Sequence, residues 1–413
     1  MRDPQVIIVG GGPGGSSTAY FLASAGIDVL VLDRAHFPRD KTCSEYMSPQ
    51  ASRVLEAMGA LEEVEDAGAA QLTGMRVHAP NGSTIHGDFA SDHGYRGHRD
   101  RGLAVRRTIL DSILLSRARA AGARVEEGVR VTDVLRDDSG RVTGVITLDE
   151  HGMPVERRAG LVIGADGLRS VIGRRLGLIR VSRWPRRIAL VTHYSNVEGL
   201  RDFGEMHVDR GGYCGVADVG NGLVNVAVVV PVSRAAEVAV DRTEFLESWL
   251  AERPKLAAMF GGATRETPVR ATGPFATSAK RAWGPGVALV GDAAEFFDPF
   301  TGEGIYTALR GGEMLSEHAL DALRAPTFKG ADDALKAYEK ARRKEFSGKW
   351  RVERMIGAAI ASPALINRAA RVLSNRSDMA DLLIGVVGDF VPAREVLRPG
   401  YLLSLFLASP ART

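Results

Sequence analysis

The run QVIIV at residues 5–9 is apolar without interruption and ends in glycines, as expected of a strand buried on both faces. Small and apolar residues then recur at helical spacing over 16–25, and IDVLVLDR supplies a second apolar run, so the chain opens as strand, helix, strand. Residues 50–65 (ASRVLEAMGALEEVED) predict a helix, and GMRVHAPNGSTIHGDF predicts a hairpin turning at Asn81-Gly82. RRTILDSILLSRARAAGARVEEG has the spacing of a helix stopped by Gly122 and followed by a strand. A small antiparallel meander is expected over RVTDVLRDDSGRVTGVITLD and VERRAGLVIGAD. Between about 181 and 275 the chain is strand-rich, interrupted by a helix in DRTEFLESWLAERPKLAAMF. GVALVGDAA returns to a buried strand, and from about 303 onward the periodicity is helical. The order predicts an α/β fold interrupted by a β-sheet domain and closed by a helical C-terminal region. Segments 1–75, 101–180 and 276–330 would form the α/β domain, 76–100 (the hairpin) and 181–275 the inserted one, and 331–413 the helical region.

Composition narrows this picture without redirecting it. With 413 residues, 45% hydrophobic and 25% charged, the chain is an ordinary globular protein too long for one small core. A net charge of +3 makes no electrostatic case for nucleic acid as a partner. Two cysteines, Cys43 and Cys214, are too few for a disulfide framework, so free thiols in a reducing cytoplasm are expected. No charged-then-apolar leader opens the chain, and no run of eighteen apolar residues predicts a membrane span. The most apolar tail segment, REVLRPGYLLSLFLASP, reads as core packing, with peripheral membrane contact as the alternative.

The chemistry begins at Gly10-x-Gly12-x-x-Gly15, which follows the first strand and opens the helix, with Pro13 and Gly14 inside it. The first glycine permits a tight turn, the second lets a pyrophosphate approach the backbone, and the third lets helix and strand pack closely. Free N–H groups and the helix dipole favour phosphate there. Asp33 ends the second strand, placed to accept bonds from a ribose diol. Two later strands also end in acids, at Ala165-Asp166-Gly167 and at Gly291-Asp292, the second followed by Pro299 and Gly302-x-Gly304. His86, His93 and His98 do not share a helix face, so they read as a solvated loop near a substrate mouth, and no metal site is expected. The basic stretch RVSRWPRR at 180–187 reads as a solvated connection between domains, with recruitment of an acidic substrate or a reductant phosphate as the alternative.

Together, in this order and spacing, these motifs resemble the flavoprotein monooxygenase and geranylgeranyl reductase superfamily, the para-hydroxybenzoate hydroxylase-like flavoproteins, over roughly the first 330 residues. The resemblance implies a Rossmann-type, GR2-like FAD-binding domain. Gly10 to Gly15 would cradle the pyrophosphate, Asp33 would hold the adenosine ribose, and Arg34 would lie beside the adenine. Arg39 would lie at the cofactor, with Arg107 near the ribityl chain and Asp292 on its hydroxyls. Pro299 to Ile305 would line the isoalloxazine, with the Gly304 and Ile305 amides at its pyrimidine edge. Asp166 matches an acid serving both FAD and the nicotinamide, and NAD(P)H would dock without a Rossmann domain of its own.

The segment FPRDKTCSEYMSP resembles that of the geranylgeranyl reductases and flavin-dependent halogenases, where a cysteine lies close to the flavin. Cys43 is thus a candidate proton donor, and Tyr46 and Tyr213 are candidates for orienting substrate. The prenyl reductases' tyrosine-x-tryptophan-x-phenylalanine-proline signature is replaced here by Tyr213-Cys214-Gly215-Val216-Ala217-Asp218. Halogenation needs a tunnel lysine, and none lies between 42 and 254. The expected activity is therefore NAD(P)H-dependent hydroxylation of a lipophilic aromatic or polyketide-type metabolite through a flavin hydroperoxide. The alternative is an ene-reductase acting on an isoprenoid or quinone-like substrate. A flavin-free prenyl-protein chaperone is a third, non-enzymatic reading. Met355, Leu365, Leu373, Leu382, Leu402 and Phe406 are expected to close an apolar pocket or to face a core.

Overall fold

The computed structural model describes residues 3–182, 184 and 186–407. Arg183 and Pro185 of the basic stretch, the Phe406 side chain and the last six residues of the tail lie outside the described residues. The chain begins with β1 (Val6–Val9), α1 (Pro13–Ser24) and β2 (Val29–Asp33). A hairpin follows, β3 (Gly74–His78) and β4 (Thr84–Asp88), then α2 (Arg107–Ala120), β5 (Arg124–Glu127) and β6 (Leu161–Gly164). Four long strands come next: β7 (Arg187–Ser195), β8 (Phe203–Asp209), β9 (Gly212–Asp218) and β10 (Val224–Pro231). After β11 (Val287–Leu289) the chain is helical, with α3 (Gly304–Arg324), α4 (Phe328–Ile360), α5 (Pro363–Leu373), α6 (Ser377–Val387) and α7 (Pro399–Leu407).

Two sheets organise these elements. The first runs β11-β6-β1-β2-β5, all parallel, with Trp283–Gly284 as an antiparallel edge. It is Rossmann-type, and its inner strands are continuous apolar runs because neighbouring elements cover them, α1 against β1 and β2 and an antiparallel sheet within 131–158 against β6. Ile7 and Ile8 are fully buried, each worth about 1.5–3 kcal/mol of burial. α1 rests on β1 at very short range, since a β-carbon at Gly15 would lie 1.8 Å from the Gly10 carbonyl oxygen. On its other side α1 meets α3, where Ser17 Oγ donates to the Leu309 carbonyl at 2.8 Å.

The second sheet runs β7-β10-β9-β8-β3-β4 and is antiparallel except where β8 pairs with β3. The hairpin at 74–88 thus belongs to this sheet, although about a hundred residues of other structure separate it from β7 in sequence. Alternation puts Met206 and Tyr213 on one face and Glu205, His207 and Cys214 on the other. The helix expected over 241–260 forms as two, Arg242–Ala251 and Pro254–Phe260, because Pro254 restarts it. They pack on the Cys214 face.

On that second face His78 Nε2 and His207 Nε2 lie 3.2 and 3.1 Å from Glu205 Oε2. These are metal-ligating side chains, but the Lys255 ammonium sits 3.0 Å from both ring nitrogens of His78 and Arg76 lies 3.6 Å from Glu205. A metal ion there would meet two positive charges. Burial pushes the Glu205 carboxyl up, but hydrogen bonds from His207 and His78 outweigh it and hold it well below the usual carboxylate range. Burial pushes the His207 imidazole down. Both groups bind fewer protons folded than unfolded, so their stabilisation is complete above roughly pH 6.5 and is lost as pH falls through their folded values. The melting temperature is therefore expected to fall from about pH 6.5 downward and to go on falling below about pH 4.5, with this lower limb shallower in Glu205→Gln; identical lower limbs would contradict this account.

Candidate functional site

The glycine turn, the carboxyl ends of β2 and β6, the loop after β11 and one face of the large sheet all border one cavity of about 830 Å³. That is within the ~300–1,000 Å³ range of small-molecule sites. No side chain caps α1 at Gly12, so its first-turn amides face the cavity end uncovered. A β-carbon at Gly12 would sit 3.3 Å from Arg39 Nη2 and 3.9 Å from Arg107 Nη2, so two guanidiniums overhang the turn.

Those guanidiniums are held by one carboxylate that the sequence did not single out. Asp111, wholly buried, accepts from Arg107 Nε and Nη2 at 2.7 Å each and lies 3.1 Å from Arg39 Nη2. Burial alone would lower the Arg107 pKa, yet Asp111 and then Cys43 hold the guanidinium above its ordinary value. The available signal was the spacing Arg107-x-x-x-Asp111, which puts both on one face of α2.

Asp33 borders the cavity, and its carboxylate accepts from Gly11 N at 2.7 Å and Ala35 N at 2.9 Å, bracing the glycine turn. Arg34 is exposed at the cavity rim. Asp166 Oδ2 accepts from Val171 N and Ile172 N, at 2.5 and 3.2 Å, while its Oδ1 is buried without a partner. Burial raises the Asp166 pKa despite those bonds. Asp292 meets Lys41 Nζ at 3.2 Å. Gly291, Pro299, Gly302, Gly304 and Ile305 line the cavity beside it. Gly302 takes a left-handed φ of +70°, and a β-carbon there would strike the Tyr46 ring at 2.7 Å.

Cys43 lines the cavity on a loop pinned by Glu45. Glu45 is buried and left-handed, at φ +63°. Its N–H donates to Cys43 Sγ at 3.3 Å, and its carbonyl accepts from Val105 N at 3.2 Å. Its Oε1 accepts from Arg107 N at 2.8 Å. Its Oε2 meets His193 Nε2 at 2.7 Å and Asn225 Nδ2 at 3.0 Å. Asn225 also donates to the Cys43 carbonyl at 2.9 Å, and His193 Nδ1 lies 3.0 Å from Thr267 Oγ1. A strained residue held by so many bonds marks a site rather than a connection. His193 and Asn225 were invisible in sequence because their strands meet the loop only in three dimensions.

Two expectations need correction, and for the tail's apolar residues the core-facing alternative is the one found. Tyr213 borders the cavity, but its hydroxyl donates to Asp298 Oδ1 at 2.6 Å, and burial, then Asp298, hold the phenol well above its usual range. Arg187, expected in a solvated connection, is buried and donates to Asp298 Oδ2 at 2.5 Å, because β7 carries it under the 299–304 loop. Met355, Leu365, Leu373, Leu382 and Leu402 do not line the cavity. Leu373, Met355 and Leu382 pack into a core around α5, α6 and α7, and Leu365 stays 40% exposed. The helical region reaches the cavity instead through Trp350 and Glu353 of α4. Tyr46 is buried beside Phe89 with its hydroxyl unpartnered, and burial, then Glu303, raise its pKa. His86 and His98 are exposed, whereas His93 stacks on Phe390.

This lining fits FAD. An uncapped helix start under two guanidiniums suits a pyrophosphate, and the unpartnered Asp166 Oδ1 is a buried acceptor awaiting a donor. Comparison with known proteins agrees. Residues 3–351 match the family model described as FAD binding domain. The chain is 30% identical over 402 residues to digeranylgeranylglycerophospholipid reductase 2 of Methanopyrus kandleri, covering 94% of this chain and 93% of that one. It is 28% identical to a menaquinone reductase of Mycolicibacterium smegmatis, covering 94% and 92%. It is 29% identical to conditioned medium factor receptor 1 of Dictyostelium discoideum over 76% of this chain, but spans only 62% of that protein's length. Among solved structures, a myxobacterial chondrochloren halogenase shares the fold at TM-score 0.80 and 22% identity, covering 100% of this chain and 99% of its own. The chain belongs to the FAD-binding domain family, within the superfamily of FAD-dependent monooxygenases and geranylgeranyl reductases, and is an FAD-dependent oxidoreductase.

Proposed function

We propose that this protein is an FAD-dependent ene-reductase that saturates carbon–carbon double bonds of a polyisoprenoid lipid or quinone, using NAD(P)H as reductant. The observation that carries this reading is the part of the cavity wall that the large sheet supplies. Ala189, Val191, Met206, Ala227 and Val229 offer only small or apolar side chains there, and Cys43 and Glu353 belong to the same lining. Such a wall suits a prenyl chain, whose recognition is by shape and dehydration rather than by hydrogen bonds. Full-length likeness to proteins named for reducing digeranylgeranylglycerophospholipid and menaquinone supports the same substrate class.

When bound, FAD supplies the two-electron chemistry, accepting electrons from the nicotinamide and passing a hydride on. The chain's part is to hold and orient. Arg39 and Arg107 would neutralise the pyrophosphate, Asp33, Asp166 and Asp292 would address ribose and ribityl hydroxyls, and Gly304 and Ile305 would present amides to the ring. The apolar wall would exclude water, and Cys43 would border the reacting bond. Hydroxylation of a lipophilic aromatic is the second reading, favoured by the same enclosed wall. It lacks an orienting phenol at Tyr213, whose hydroxyl is committed to Asp298.

No described helix is long and apolar enough to cross a membrane. Access to a lipid substrate would come from peripheral contact through Leu365 of α5 and Leu403 of α7, 40% and 53% exposed. The two free thiols suit a reducing cytoplasm. The test is turnover of the purified protein with NAD(P)H and a geranylgeranyl lipid or menaquinone. Reduced product without oxygen uptake is expected. Substrate-stimulated oxygen consumption with a hydroxylated product would establish the second reading instead, and a protein unable to bind FAD would leave only the chaperone.

A further inference from the structure

Beneath the 299–304 loop, three carboxylates surround one ammonium. Lys349 of α4, 9% exposed, lies 3.0 Å from Glu303 Oε2 and also pairs with Asp389, a left-handed residue at φ +70°. Glu353, one turn further along α4, accepts from Thr301 Oγ1 at 3.5 Å and interacts electrostatically with the Glu303 carboxylate. The neighbouring cations are committed elsewhere. Arg354 lies 3.0 Å and Arg342 3.9 Å from Glu295, and Arg310 serves Glu313 and Glu345.

Glu303 is buried and Glu353 half-buried, and two interacting carboxyl groups with so little water do not readily both ionise, which favours one proton on the pair. Burial raises the Glu303 carboxyl as well, but the Lys349 ammonium 3.0 Å from it opposes that rise, so Glu353 is the favoured place for the proton. Burial and then the Glu303 charge drive the Glu353 carboxyl well above the usual carboxylate range, with Lys349 opposing and Glu295 adding to the rise. The remaining titratable neighbours are Glu345, which faces Lys349, and Tyr46, which faces Glu303. Glu353 also opens onto the cavity, beside Trp350. Of the other cavity acids, Asp292 meets Lys41, Asp298 meets Arg187 and Glu295 meets Arg354, while Asp33 and Asp166 accept from backbone amides at the cofactor end.

We propose that Glu353 is the acid of the reaction, holding the single proton it shares with Glu303 and releasing it to the substrate in the cavity. This rests on the ene-reductase reading. The π bond breaks and two C–H bonds form. One carbon takes the hydride that reduced FAD supplies, at the expense of NAD(P)H, and the other takes the proton from the Glu353 carboxyl. Glu353 is left as a carboxylate and is reprotonated from solvent. Lys349 is the positioning residue, since it decides which of the two glutamates stays ionised.

The test joins a spectroscopic and a kinetic measurement on the FAD-loaded protein. Infrared difference spectra of the wild type are expected to show a protonated-carboxyl C=O band that persists well above the usual carboxylate range and is missing in Glu353→Gln. In single turnovers Glu353→Gln is expected to slow product formation about 10²–10⁴-fold while flavin reduction by NAD(P)H keeps its wild-type rate. Glu353→Asp keeps an acid and is expected to recover part of the rate, which a loss of folding would not reproduce. Absence of the band, or wild-type product formation in a folded Glu353→Gln protein, overturns the proposal and leaves the reductase reading standing. A band that behaves as expected in a protein that reduces no alkene sinks the reductase reading, and the substrate role of Glu353 falls with it. Cys43→Ala is the control, and should leave the band in place.

Discussion

Asp111→Ala is expected to destabilise the protein by about 3–5 kcal/mol and to abolish retention of FAD, because it strips the shared counter-charge from two guanidiniums at once. Arg107 is 2% exposed and cannot turn to solvent, and its two bonds to Asp111 at 2.7 Å are what hold its plane over the glycine turn. Arg39, 3.1 Å from the same carboxylate, loses its anchor too. A bound pyrophosphate would restore some of the missing negative charge, so the variant should be rescued in part by saturating FAD, in the way any ligand stabilises the state it binds. Urea unfolding with and without added FAD, together with a flavin fluorescence titration, measures both effects. A variant that unfolds at the wild-type urea concentration and still purifies yellow would contradict the clamp.

Glu45→Ala is expected to release the Cys43 loop. The substitution strands the Arg107 N–H, the His193 ring nitrogen and the Asn225 amide, each of which loses a bond of 2.7–3.0 Å in a buried setting. Each stranded donor costs about 1–3 kcal/mol, and an alanine gains nothing from a φ of +63°. The loop joins the start of α2 to two strands of the large sheet, so the loss should appear as local opening before global unfolding. A local loss of only about 1.4 kcal/mol already makes opening tenfold more frequent. Alkylation of Cys43 by iodoacetamide should therefore accelerate about tenfold or more, while Cys214, buried in β9 on the far face, stays unreactive until the protein melts. Equal Cys43 reactivity in the two proteins would show that Glu45 does not hold the loop. Glu45→Gln keeps an acceptor and should lie between them.

Much of the cofactor end was legible because it is local. A glycine turn between a buried strand and a helix carries its own steric reason, and Gly15, whose β-carbon would lie 1.8 Å from the Gly10 carbonyl oxygen, admits nothing larger. The apolar runs at 29–33, 161–164 and 287–289 announced parallel strands, and the acids at their ends, Asp33, Asp166 and Asp292, were found at the cavity. The substrate side was far less legible. Tyr213 looked like a residue for substrate until Asp298, 85 positions later, was seen to take its hydroxyl. Arg187 looked like one of several solvated cations until β7 carried it into the interior. The apolar residues of the tail have the spacing of a pocket lining and of a core face alike, and only packing shows that they serve the core.

What the sequence alone determined about this protein is therefore its class: a Rossmann-type flavoprotein with an inserted sheet, named by motifs whose chemistry is complete within one turn or one strand end. The tertiary structure decided which charges are paired. Asp111 under two arginines, Glu45 against His193 and Asn225, and Glu353 beside Glu303 and Lys349 bring together side chains from separate elements, most of them tens to hundreds of residues apart. The physical reason is that a hydrophobic period or a glycine constraint acts between neighbours in the chain, whereas ionisation and hydrogen bonding depend on neighbours in space. Proton placement, and with it the reaction's acid, is a property of the fold.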